Sequence, residues 1–78
     1  MRTWQRGDGP VLVRTESGAE YYVTSDGRAM RGSGQSDNTI EVDAWVWDIT
    51  VGSVLHMVQR DNGHRITSTP VVSIVRQA

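Results

Sequence analysis

Two tryptophans, one histidine and two arginines carry the chemistry this chain is equipped to do. Trp45 and Trp47 lie two apart in the run Ile40-Glu41-Val42-Asp43-Ala44-Trp45-Val46-Trp47. Spacing of two puts side chains on one face of a β-strand. Glu41, Asp43, Trp45 and Trp47 therefore share a face, and Ile40, Val42, Ala44 and Val46 form an apolar stripe on the other. An indole is a stacking platform, and a guanidinium grips phosphate or carboxylate with two parallel donors. Trp45, Trp47, His56, Arg60 and Arg65 together would suit an anionic, stackable ligand such as a nucleotide.

Bringing those residues together requires two turns. If Val51-Gly52 closes a hairpin, Trp47 lies opposite His56, Trp45 opposite Val58 and Asp43 opposite Arg60. If Asn62-Gly63 closes the next with a two-residue turn, Arg60 lies opposite Arg65 and Val58 opposite Thr67. One face then gathers Val42, Ala44, Val46, Leu55, Met57 and Ile66 as core. The other gathers Asp43, Trp45, Trp47, His56, Val58, Arg60, Arg65 and Thr67. Three strands agree on one amphipathic sheet, which supports the register. Like charges directly opposite are unfavourable, so the Arg60–Arg65 pair needs either Asp43 as a neutralising neighbour or an anion between them. A three-residue loop at Asp61-Asn62-Gly63 would shift the pairing by one. Asp61 and His64, flanking that turn, are expected to form a local contact.

The first half of the chain reads as a meander. Val11 to Glu16 and Glu20 to Ser25 flank Ser17-Gly18. Asp26-Gly27, a type I′ signature, leads into Arg28 to Arg31. Two-residue turns place Arg14 opposite Tyr21, Leu12 opposite Val23 and Val23 opposite Met30. Residues 32–39 have no periodicity and several turn formers, which predicts a mobile loop. His64 to Thr69 and Val71 to Arg76 are separated by Pro70, which marks an edge, a bulge or a bend between sheets. The expected fold is all-β: a single domain over 1–78, a small barrel or two-sheet roll of about six antiparallel strands, in the architectural manner of SH3-like and OB-like barrels. The terminal run Thr67 to Val75 is expected to close it; strand addition to a partner is the rival use of such a run.

Composition narrows the function classes. The chain has 78 residues, no Cys and no Phe. A core this small, without staples, often leans on assembly, so a homo-oligomer is expected. Trp4, Trp45, Trp47, Tyr21 and Tyr22 must carry the large aromatic burial. Net charge is −1, which argues against nucleic acid and acidic membranes. All eight cationic side chains are Arg, a pattern of GC-rich codon usage such as that of actinobacteria and their phages. No apolar run approaches a membrane span and the N-terminus has no signal-peptide core, so a cytoplasmic protein is expected.

Several motifs lose to simpler readings. Arg6-Gly7-Asp8 matches the integrin-binding tripeptide but reads better as a turn before the first long strand. His56 and His64 lack the further ligands a zinc site needs. Asp48, His56 and Ser53 could be written as a triad, yet the register sets Asp48 on the face opposite His56. No nucleophile elbow or phosphate-cradling glycine loop is present. The sequence therefore points to a non-enzymatic binding module without cofactor or metal. The alternative is a homo-oligomeric structural or protein-interaction module whose Trp45/Trp47 face meets a protein partner or another copy.

Overall fold

The computed structural model describes residues 1–31 and 43–77. The predicted loop at 32–39, together with Ile40, Glu41 and Val42, lies outside the described residues. Among the described residues, eight strands follow in order: β1 (Thr3–Gln5), β2 (Val11–Thr15), β3 (Glu20–Val23), β4 (Arg28–Arg31), β5 (Asp43–Trp45), β6 (Asp48–Thr50), β7 (Val54–Gln59) and β8 (Arg65–Arg76). Six of them close an antiparallel barrel in the order β2-β3-β4-β5-β7-β8, and β1 pairs with β6 in a separate two-stranded sheet. The small all-β barrel expected from the sequence is the fold.

Alternation builds the interior. Val11, Val13 and Thr15 of β2, Tyr21 and Val23 of β3, and Leu55 and Met57 of β7 are buried. Ala29 and Ala44, direct partners across β4 and β5, are fully buried and leave room for larger neighbours. Among the described residues, the interior of this narrow barrel is filled by its own side chains. β1 and β6 turn Trp4 and Ile49, also direct partners, into the same core. The Trp4 indole donates to the Gly9 carbonyl at 2.7 Å. Among the aromatics, Trp4 and Tyr21 are buried, while Tyr22 and Trp47 are exposed.

The faces of β5, β7 and β8 are as predicted, but the turns are longer. In the β2–β4 meander each register slips by one residue, so Val23 shares its face with Val11 and Ala29 and not with Leu12 and Met30. β2 and β3 pair Val13 with Tyr21 and Arg14 with Glu20, rather than Arg14 with Tyr21. β3 and β4 pair Tyr22 with Met30 and Val23 with Ala29, rather than Val23 with Met30. A type I′ turn needs positive φ at both central residues, and among the described residues none other than glycine has positive φ. Ser17 and Asp26 therefore cannot supply half of such a turn. Each loop takes one more residue and ends on a left-handed glycine, Gly18 or Gly27, in the three-residue hairpin geometry. Between β7 and β8 the loop grows to four residues: Gln59 N–H donates to His64 O, and Gly63 N–H to Gln59 O. Arg65 thus faces Val58 and Thr67 faces His56, so the predicted Arg60–Arg65 and Val58–Thr67 pairs do not form. The shift is by two residues, so every side chain keeps its face. The local contact in this loop runs from His64 N–H to Asn62 Oδ1 at 2.8 Å and does not involve Asp61.

β8 runs unbroken through Pro70. Its first half pairs with β7 and its second with β2, with register shifts in both ladders beside the proline. Pro70 cannot donate, and its carbonyl accepts from Glu16 N–H. It is the bend by which one strand serves two neighbours and closes the barrel.

Candidate functional site

The site begins where β5 and β7 part. Trp45 and Val58 are partners, as predicted, and Arg60 N–H donates to Asp43 O. Continued past Val46, the ladder would reach the predicted Trp47–His56 pair. Instead Val46 N–H donates to Gly27 O at 2.7 Å. Arg6 Nε donates to Val46 O at 3.1 Å. With both backbone groups of Val46 taken by the β3–β4 turn and by Arg6, the chain leaves the barrel to form β6. The hairpin predicted across Val51-Gly52 therefore stops at Trp45.

Trp47 consequently stands away from His56 and a groove of about 520 Å³ opens between them. Trp47, His56, Met57, Val58, Arg65, Ile66 and Thr67 line it. The floor is the β7–β8 ladder, in which His56 faces Thr67 and Val58 faces Arg65. Trp47 is 51% exposed, and His56, Arg65 and Thr67 are exposed as well. Residues two apart on a strand direct their amides to the same neighbour. Arg60 N–H points at β5, so His56 N–H and C=O also point that way, where no strand among the described residues pairs with them.

A second constellation lies beside the groove and is bound up internally. The Arg6 guanidinium sits over Trp47 at 4.7 Å and over Trp45 at 5.5 Å from the ring centroids. Arg60 covers Trp45 at 5.0 Å. Asp43 accepts from Arg28 and Arg60, each ion pair closing at 3.0 Å. The hydrogen bond from Arg28, with Arg60 adding to it, holds the Asp43 carboxyl below its usual range. Trp45 is thus flanked by two guanidiniums, and Arg60 is engaged by Asp43 as the neutralising arrangement anticipated.

The five residues singled out in the sequence therefore fall into two groups. Trp47, His56 and Arg65 come together at the groove. Trp45 and Arg60 lie in the ladder of rings and cations next to it. Arg6 was missed as a member, and so was Arg28. Arg6 reaches Val46 across 40 residues of sequence, and no local periodicity announces such a contact. In Arg6-Gly7-Asp8, Arg6 is occupied by the indoles, and the Asp8 carboxylate accepts from Gln5 N–H at 2.9 Å. Both ends of that tripeptide are committed to the fold. The chain matches no family model, no curated protein and no solved structure.

Proposed function

We propose that this barrel is a binding module for a small anionic, stackable ligand, of which a nucleotide is the apt case, held in the groove between Trp47 and the β7–β8 ladder. The observation that carries the reading is the half-exposed Trp47 indole beside His56 and Arg65. Arg6 takes one face of that indole, so the ring is held in place while the remainder faces the groove. A base would stack on the indole, and the phosphate would meet Arg65 with His56 next to it. The His56 amide and carbonyl, on the side of β7 that no described strand covers at this position, would offer one donor and one acceptor, the pattern suited to a base edge. The groove lies on an outer barrel face open to water, which suits binding better than chemistry that must exclude water. On this reading the protein is a non-enzymatic, cytoplasmic binder.

The test is a titration with adenosine monophosphate, followed by tryptophan fluorescence and calorimetry, with inorganic phosphate as a parallel probe. Quenching is expected in the native chain and in Trp45→Phe. It should disappear in Trp47→Ala, and Arg65→Ala should weaken binding about tenfold, the loss of about 1.4 kcal/mol for a charged hydrogen bond. No response at millimolar nucleotide, with an emission shift that follows protein concentration, would favour the use of the Trp47 face for contact with another copy.

A further inference from the structure

The outer face of β2 and β3 carries a second feature, unrelated to the groove. The registers place Val75 beside Leu12, Leu12 beside Tyr22 and Tyr22 beside Met30, one row across four strands. Val75, Tyr22 and Met30 are 52, 42 and 37% exposed, and Leu12 is half-buried. Two residues along the strands, Arg14 pairs with Glu20 at 2.6 Å.

We infer that this face is a homodimer contact in which β2 of one copy lies over β3 of the other. The occupant follows from the symmetry of the row. A two-fold axis in the contact plane, parallel to the strands and midway between β2 and β3, keeps height along the strand and exchanges the two strands. Leu12 then meets the partner's Tyr22, while Val75 and Met30 border the contact on the curving flanks. Arg14 meets the partner's Glu20, and the two intrachain ion pairs stack in opposite sense as a four-charge network. The smaller Leu12 faces the larger Tyr22 on both sides of the axis, and each charge faces its opposite. That is the self-complementarity an isologous interface requires. A six-stranded barrel turns about 60° per strand, so contact centres on β2 and β3 and the flanks curve away. The pair is therefore weak and concentration-dependent, in the range of small transient interfaces.

Sedimentation and light scattering from about 10 μM to about 1 mM should show the mass rising from 8.7 kDa toward twice that value. A mass that stays at one chain throughout overturns the inference. Tyr22→Glu should abolish the rise while leaving the midpoint of unfolding at low concentration nearly unchanged. Arg14→Glu should abolish it too and lower that midpoint slightly, since it sets two carboxylates opposite each other within the chain. Arg14→Glu with Glu20→Arg should restore it. Association that survives both single changes, or is lost in Trp47→Ala, places the contact elsewhere. The chain has no cysteine, which allows a direct check of geometry. Leu12→Cys and Tyr22→Cys chains, mixed and oxidised, should form the mixed disulfide several-fold above either like pair. A statistical mixture would refute the two-fold arrangement. None of these readouts involves nucleotide, so their failure leaves the groove reading standing, and the converse also holds.

Discussion

Arg6→Ala is the perturbation that most directly tests how Trp47 is held. Arg6 makes three contacts: one hydrogen bond to Val46 O at 3.1 Å and two ring contacts at 4.7 and 5.5 Å. The side chain is exposed, so each contact belongs at the low end of its range. A cation over an exposed ring contributes about 0.5–1 kcal/mol, and a charged hydrogen bond about 1.5 kcal/mol. The expected loss is about 2–3 kcal/mol. In a domain of this size, that lowers the midpoint of thermal unfolding by roughly 10–20 °C. The second consequence is optical. Once freed, Trp45 and Trp47 should emit at longer wavelength in the folded state. Urea unfolding of Arg6→Ala, Trp47→Ala and the double variant isolates the ring contact, with a coupling of about 0.5–1 kcal/mol. Arg2→Ala, an exposed arginine at the same end of the chain, is the control and should change stability by less than about 0.5 kcal/mol. An Arg6→Ala loss below about 0.5 kcal/mol, or additive single variants, would refute the account of Arg6 as the clasp of the indoles.

Gly27→Ala should be more damaging than a loop substitution ordinarily is. Gly27 has φ of 94°, and a Cβ there would run into the Val46 carbonyl and the Arg6 side chain. The left-handed conformation alone costs about 1–2 kcal/mol. A urea midpoint within error of the native chain would contradict that close approach. Trp4→Phe should cost about 2–3 kcal/mol, because the half-buried Gly9 carbonyl loses its donor and the core loses volume; calorimetric unfolding reads it. Asp43 sets an acid dependence. Its carboxyl lies below the usual range because of Arg28 first and Arg60 with it, so its contribution is full above the unfolded carboxylate pKa. That contribution fades as pH falls through the lowered folded value. Asp43→Asn should flatten this part of the acid limb of stability against pH, and an unchanged limb would show that the ion pairs are inert.

The residues of the candidate site were legible to different depths. Ala44 and Val46 face in while Trp45 and Trp47 face out, as the alternation of the run requires. Leu55 and Met57 against His56 and Val58 repeat that pattern on β7. Arg65 kept its face although its partner changed, since a slip of two residues preserves the pleat. The failures concern turns and capture. Asp26-Gly27 and Ser17-Gly18 signal a reversal but do not count its residues, because a left-handed glycine serves the two-residue and three-residue geometries alike. The departure of the chain at Val46 had no local sign, since Gly27 and Arg6 are remote in sequence and meet it only when the barrel closes.

The sequence by itself determined the side-chain chemistry and its sidedness: which residues are apolar, which stack, which are cationic, and which of them share a face of a strand. Those properties follow from covalent identity and from the two-residue period of extended backbone. The tertiary structure alone decided which of them became neighbours. By holding both backbone groups of Val46, it ended the β5–β7 ladder at Trp45, well short of the Val51-Gly52 turn, and opened a groove beside Trp47. It also drew Arg6 onto the indoles. Contact between residues far apart in the chain depends on register and closure, and a shift of one residue in a single turn is enough to rewrite it.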